Sequence, residues 1–219
     1  MKQILPQVVL AITLLIGTTA CQKDVLRGEG NTVTETRALA AFNAIGISGN
    51  RQVEIIKSTE SKVEITGYQN LVAAYSANTS NGQLRFEFPN HTRVRNDNIR
   101  LKIYTPSLNS ISLSGNNKVQ VSNGFIGTNM ECRLSGSGEV NFAGGLFTNL
   151  NIDVSGSATV NAQAATATHG RVDISGNGKI ELRATETLRV SISGDGEVYY
   201  HGNPTLTQQI SGRGRIVKR

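Results

Sequence analysis

The stretch Ile174-Ser175-Gly176-Asn177-Gly178-Lys179-Ile180 contains the pattern that decides the fold, because the chain repeats it at nearly constant spacing. Each copy has an apolar residue, Ser-Gly, a polar residue, a small residue, a second polar residue and an apolar residue. The first glycines are separated by 21, 20, 20, 18 and 18 residues and stand at Gly115, Gly136, Gly156, Gly176, Gly194 and Gly212. This period predicts a solenoid in which each repeat forms one turn.

Alternation within each copy predicts β-strands. Every second residue from Val172 to Leu182 is apolar or glycine, and every second residue from Arg171 to Glu181 is polar. The sequence therefore predicts an all-β fold in which a C-terminal parallel β-solenoid, or β-helix, stacks its turns about 4.8 Å apart. The same alternation places Cys132 in the core, as a small buried hydrophobe and not as a reactive thiol.

The glycines and serines of the repeat predict two further features. Glycine weakens a strand, so its recurrence indicates a sharp bend or the close approach of a stacked backbone. The serines before these glycines form a ladder of outward hydroxyls, with Ser155, Ser175 and Ser193 as candidate binding residues. The alternative is a structural role, the commoner one, in which the hydroxyls satisfy neighbouring backbone groups.

An irregular β region precedes the repeats. Strands are predicted at 44–48, 52–57, 62–67, 83–88 and 99–104, with a short helix at 70–75. Asn81-Gly82 is a hairpin-type turn, and Pro106 marks the predicted join to the solenoid. Because no Gly/Ser/Pro-rich linker intervenes, residues 38–219 are predicted to form one continuous domain.

The N-terminus predicts export and a lipid anchor. Lys2, an apolar run at 8–16 and a small-residue stretch at 17–20 precede Cys21, which is the order of a secretory signal peptide. The apolar run is too short to span a bilayer. Thr18-Thr19-Ala20-Cys21 resembles the lipobox of bacterial lipoproteins, although Thr replaces the commonest Leu. We predict a signal peptide at 1–20, a lipidated tether at 21–37 and an outer-membrane lipoprotein that faces the periplasm or the cell surface.

Charge and cysteine content restrict the partners. The formal charge of +6 admits an acidic partner such as an anionic glycan, and an envelope protein is the other expected partner; an exported protein rarely meets nucleic acid. Arg213 and Arg215 are candidate glycan contacts, although solvated charge is the commoner role of such residues. If Cys21 is lipidated, Cys132 is the only remaining thiol and no intramolecular disulfide can form.

Three segments resemble the auto-transporter adhesin head GIN domain family, which is common in lipoproteins of Bacteroidetes. They are Phe42-Asn43-Ala44-Ile45 with Ile47-Ser48-Gly49, the run Ile103-Tyr104-Thr105-Pro106-Ser107-Leu108-Asn109-Ser110-Ile111, and the Ser-Gly-x-Gly repeats. The resemblance covers residues 38–216. It implies a β-solenoid on the cell envelope with an adhesin-like role.

The sequence contains no recognisable catalytic, cofactor or metal motif. His91, His169 and His201 lack the short spacing and the neighbouring carboxylates of a metal site. Asp153 and Asp173 occupy the same place in consecutive copies, so a polysaccharide-cleaving β-helix enzyme is one alternative. A structural or signalling envelope lipoprotein is another. We predict a non-catalytic domain that binds a surface polymer or protein.

Overall fold

The computed structural model describes residues 24–90 and 92–219, a part of the chain that contains nineteen strands and one short helix. The first elements are β1 (Asp24–Arg27), β2 (Thr32–Ala38), β3 (Ala44–Gly49), β4 (Gln52–Lys57), β5 (Lys62–Tyr68), α1 (Gln69–Ala74), β6 (Ser76–Ser80), β7 (Gln83–Glu87), β8 (Thr92–Arg95) and β9 (Arg100–Thr105). The solenoid then continues through β10 (Ser110–Gly115), β11 (Lys118–Val121), β12 (Ile126–Gly136), β13 (Glu139–Phe142), β14 (Gly145–Gly156), β15 (Thr159–Gly176), β16 (Lys179–Gly194), β17 (Glu197–His201), β18 (Thr205–Gly212) and β19 (Arg215–Lys218). The signal-peptide and lipobox predictions, including Cys21, lie outside the described residues, as does His91.

Two columns of parallel strands build the solenoid. The first column runs in the order β3, β10, β12, β14, β15, β16 and β18, and it aligns each Ser-Gly pair with the next. The second column runs in the order β4, β11, β13, β15, β16, β17 and β19. β15 and β16 are long enough to contribute to both columns. The predicted parallel β-solenoid is confirmed.

The stack extends beyond the join predicted at Pro106. β3 pairs in parallel with β10, so Ser48 and Gly49 form an additional rung in register with Ser114 and Gly115. β7 pairs in parallel with β3, and β9 with β4, which adds a partial layer before that rung. The repeat spacing did not reveal this rung because residues 58–109, a long insertion, separate it from the next copy.

Antiparallel strands cover the N-terminal end of the stack. β5 pairs with β9, β2 pairs with β5, and β6 forms a hairpin with β7. Asn81 and Gly82 make the predicted hairpin turn with φ angles of 50° and 73°. α1 confirms the predicted short helix.

Residues 24–38, which the sequence analysis assigned largely to the tether, belong to the folded domain. β1 pairs with β8, and β2 pairs with β5 along its whole length. Leu26 and Val33 pack partly buried against the core. The hydrophobic pattern did not predict these strands because β2 has Val33 as its single large apolar side chain.

The core follows the predicted alternation. Val172, Ile180 and Leu182 are fully buried and Ile174 nearly so. Cys132 is also fully buried, and burial raises the pKa of its thiol to about 12. The thiol is therefore protonated at neutral pH and unreactive in the folded domain.

The first glycine of each repeat is both a bend and a close contact. Gly176 has a φ of +125°, and a Cβ atom on it would lie 2.5 Å from the carbonyl oxygen of Gly156 in the preceding rung. Both reasons predicted for glycine therefore apply at the same residue. Among the described residues, no helix is long and apolar enough to cross a membrane.

Candidate functional site

An open groove of about 1110 Å³ runs along the outer face of the first column. Six exposed serines line it, one from each consecutive rung, and we call them the serine ladder: Ser48, Ser114, Ser135, Ser155, Ser175 and Ser193. They are direct partners in the register of the parallel strands. The three serines predicted as binding residues are thus brought together in one groove.

The hydroxyls of the serine ladder point away from the backbone network. Within residues 24–90 and 92–219, none of the six hydroxyls makes a hydrogen bond to another protein group. Each hydroxyl carries one donor and two acceptor lone pairs. The ladder therefore presents a row of free donors and acceptors about 4.8 Å apart along the stack.

A charged row runs beside the serine ladder. Arg133, Asp153 and Asp173 are register partners in consecutive strands, so the two aspartates, which occupy the same place in consecutive copies of the repeat, stack in one column. Arg133 Nε lies 3.9 Å from Asp153 Oδ2, and Arg171 Nε donates to Asp173 Oδ2 at 2.6 Å. Each carboxylate is therefore engaged by an arginine of its own or the preceding rung.

An aromatic cluster, here called the aromatic end, lines the groove at the N-terminal end of the stack. Tyr75, Phe86 and Phe88 form it, with the Tyr75 ring centroid 4.6 Å from Phe88 and 5.8 Å from Phe86. The guanidinium of Arg51 lies 5.1 Å from the Tyr75 centroid, and its Nε donates to the Tyr75 hydroxyl at 3.3 Å. Burial raises the pKa of Tyr75, so its hydroxyl stays protonated at neutral pH.

Arg51 is a buried cation whose charge is compensated. Its side chain is 7% exposed, and Nη1 lies 2.6 Å from Oδ2 of Asp97. The aromatic end was not predictable from the sequence, because Arg51 and the aromatic residues come from separate segments of the chain. One feature of the sequence could have indicated Arg51. It stands two residues after the Ser-Gly pair, at a position where the later copies have Asn117, glycine or alanine.

The charges that line the groove cancel. Three are arginines and three are acids: Arg51, Arg85, Arg133, Glu87, Asp153 and Asp173. The lining therefore has no formal net charge, although the chain carries +6. The excess of positive charge lies outside the groove.

Arg213 and Arg215, the predicted basic contacts, do not line the groove. Arg213 Nη2 lies 2.5 Å from Asp195 Oδ2, and this hydrogen-bonded contact lowers the pKa of Asp195. Arg215 stands in β19 of the second column, where its Nη2 lies 2.5 Å from Glu197 Oε1. Both cations are therefore paired with acids at the C-terminal end of the stack.

A second ionic cluster at that end was not predicted. His201 Nε2 donates to Glu181 Oε1 at 2.9 Å, and Arg219 Nη1 donates to the same oxygen at 3.0 Å. The hydrogen bond from His201 is the main cause that lowers the pKa of Glu181. The expectation that His201 lacks a carboxylate neighbour was wrong, because stacking brings together residues 20 positions apart. His169 also has a carboxylate nearby: its Nδ1 shares a hydrogen bond with Thr187 on the adjacent strand, and its Nε2 lies 4.0 Å from Glu186 Oε2.

The fold and the groove define a β-solenoid domain with a repetitive polar face. The chain belongs to the family described as "Putative auto-transporter adhesin, head GIN domain", whose model matches residues 41–204. The family resemblance drawn from the sequence is thereby confirmed.

Several solved structures share this fold. A putative adhesin from Bacteroides fragilis NCTC 9343 is 22% identical, with a TM-score of 0.70 over 88% of this chain and 98% of its own. A putative lipid binding protein from Parabacteroides distasonis ATCC 8503 is 21% identical, with a TM-score of 0.56 over 90% and 100%. At these identities the likeness shows the fold alone. Comparison with curated proteins gave no match.

Proposed function

We propose that this chain is an exported lipoprotein of the cell envelope and that its solenoid is a non-catalytic, adhesin-like binding domain. The groove along the serine ladder is the binding site, and its ligand is an extended polymer or a protein segment of the cell surface. The observation that carries the proposal is the row of six exposed hydroxyls that have no protein partner within the described residues. A rigid row of unsatisfied donors and acceptors supports repeated hydrogen bonds to one long ligand.

The lipid anchor on Cys21 belongs to the same proposal. Acyl chains at this residue hold the domain on the outer membrane, where it faces the periplasm or the cell surface. The family to which the chain belongs, with its adhesin description, supports a place at the envelope.

A polysaccharide-cleaving enzyme is the second candidate, favoured by the stacking of Asp153 and Asp173 beside the groove. The arginine contact of each carboxylate speaks against it, because such a pair is an ordinary way to stabilise adjacent acids on a sheet. Incubation of the protein with envelope polysaccharides decides between the two. Release of reducing ends that Asp153→Ala or Asp173→Ala abolishes would establish the enzyme.

Binding to polysaccharide and protein fractions extracted from the cell envelope tests the groove. Ser155→Tyr places a large side chain over the centre of the serine ladder, so we expect it to weaken binding by at least about tenfold. Gln120→Tyr is the matched control, because Gln120 is equally exposed on a strand of the second column, away from the groove. Equal affinities for the two variants would refute the groove as the binding site.

A further inference from the structure

The charge of the groove selects among polymer ligands. The three acids and three arginines that line it cancel, and the ion pairs Arg51–Asp97 and Arg171–Asp173 neutralise charges at its end and along its side. A polyanion is attracted by a field of one sign, which this lining does not provide. The arrangement therefore fits an uncharged ligand better than the anionic glycan expected from the net charge of the chain.

The geometry of the stack favours a glycan over a peptide. Strand addition requires an unpaired strand edge. Five of the six serines stand on strands that are paired in parallel on both sides at the serine itself. β3 is paired with β7 only along Ala44–Gly46, so an edge is open at Ser48 alone, which is too short for strand addition along the groove. An extended peptide also advances only about 3.3 Å per residue, out of step with rungs about 4.8 Å apart.

An extended β-linked glycan matches both the spacing and the chemistry. Its residue length is close to the rung spacing of about 4.8 Å, so one sugar can meet one serine along six rungs, or about 24 Å. Sugar hydroxyls and serine hydroxyls are both neutral and both donate and accept, which allows either to complete the other's hydrogen bonds. Because both hydroxyls are neutral, their contact does not require a charged group to lose its hydration.

The aromatic end supplies a second kind of sugar contact. Phe88 is half-buried and lines the groove, and its ring is fixed by Tyr75 at 4.6 Å. The Arg51 guanidinium, 5.8 Å from the Phe88 centroid and bound to Asp97, holds this cluster in place. A rigid aromatic face beside polar groups suits the apolar C–H face of a sugar ring together with its hydroxyls.

We propose that the groove binds a neutral, extended β-linked glycan that lies along the solenoid axis with one sugar per rung and its last sugar stacked on Phe88. This inference rests on the proposed function, whose site it shares.

Isothermal titration of the intact protein with cellohexaose, β-1,4-mannohexaose and xylohexaose tests the inference, with hexagalacturonate as the acidic probe. We expect at least one neutral hexasaccharide to bind, to bind more tightly than its trisaccharide, and to keep its affinity when salt is raised. Salt screens charge contacts beyond about 8 Å at physiological ionic strength, and hydroxyl contacts are little affected. Ser155→Tyr should abolish this binding.

Substitutions at the aromatic end test the stacking contact. Phe88→Leu keeps an apolar side chain but removes the aromatic face, so we expect a loss of about tenfold or more in affinity, with Phe88→Trp restoring it. Leu146→Ala is the control, since Leu146 is an exposed apolar residue outside the groove. Unchanged affinity in folded Phe88→Leu would overturn the stacking contact.

The two proposals fail differently. Binding of hexagalacturonate alone, with loss in salt, would overturn the neutral glycan and leave the groove as a binding site. The same holds if no hexasaccharide binds while Ser155→Tyr still blocks binding to an envelope fraction. A neutral hexasaccharide that binds Ser155→Tyr as well as the native protein would overturn both.

Discussion

Replacing Gly176 by alanine is expected to lower the free energy of unfolding by about 3 kcal/mol. The backbone at Gly176 has a φ of +125°, where an L residue is strained by about 2 kcal/mol. The new Cβ would also lie 2.5 Å from the carbonyl oxygen of Gly156. That oxygen accepts a hydrogen bond from the amide of Asn177 at 2.8 Å, so moving it away costs about a further 1 kcal/mol.

Two other glycines separate these contributions. Gly49 has a φ of +97°, but a Cβ on it would have no neighbour closer than 3.8 Å, so Gly49→Ala should cost the backbone strain of about 2 kcal/mol alone. Gly178 has no positive φ, and its Cβ would first meet a side-chain methyl of Val154 at 2.9 Å. Gly178→Ala should cost about 1 kcal/mol, because Ala158 stands at the equivalent position of the preceding rung, between the register pairs Gly156–Gly176 and Thr159–Lys179.

Urea denaturation of the three variants, compared at their midpoints, measures these differences. Asn177→Ser, an exposed change beside Gly176, serves as the control and should stay within about 0.5 kcal/mol of the native protein. The expected order of loss is Gly176→Ala, then Gly49→Ala, then Gly178→Ala. If Gly176→Ala were no more destabilising than Gly49→Ala, the close approach of stacked carbonyls would not contribute to the need for the repeated glycine.

Three further predictions concern other parts of the chain. Cys21→Ser should move the protein from the membrane fraction to the soluble exported fraction without changing its fold; unchanged fractionation would refute the lipid anchor. In that variant the sole thiol is Cys132, whose pKa burial raises to about 12, so a thiol reagent at neutral pH should label it only after unfolding; labelling of the native protein at the rate of a free thiol would contradict the buried position. Glu181→Gln should lower the melting temperature at neutral pH, because the pKa of Glu181 is lowered in the folded state by His201 and Arg219. The ionised Glu181 stabilises the folded state at pH values above its unfolded pKa of about 4.3, and this stabilisation is lost as pH falls through its lower pKa in the folded state. The melting temperatures of the variant and the native protein should therefore converge in acid. If the difference between the two melting temperatures stayed constant down to the lowest pH, the ionic contact of Glu181 would not be its cause.

The repeats alone predicted most of the architecture. Within each copy, alternation determines which side chains face the core, and this local property correctly placed Ile174, Leu182 and Cys132 inside. The constant spacing of Ser-Gly pairs predicted the register of successive turns, so the alignment of Ser155 with Ser175 was also foreseeable.

Features that depend on contacts between distant segments were not predictable in this way. The rung at Gly49 joins the stack across a long insertion, and no period in the sequence marks that pairing. The aromatic end assembles Arg51, Tyr75 and Phe88 from three segments, and its charge balance depends on Asp97, which belongs to none of them.

The sequence by itself therefore determined the solenoid, its core face and the serine ladder from Ser114 onward, because each follows from the alternation and spacing of neighbouring residues. The tertiary structure alone decided that the ladder lies in a groove, that the charges lining this groove cancel although the protein is basic, and that an aromatic cluster lines one end. The physical reason is that stacking brings residues about 20 positions apart within one strand spacing of each other. The sequence gives the number of charges, but only the stacking determines which of them lie close enough to pair.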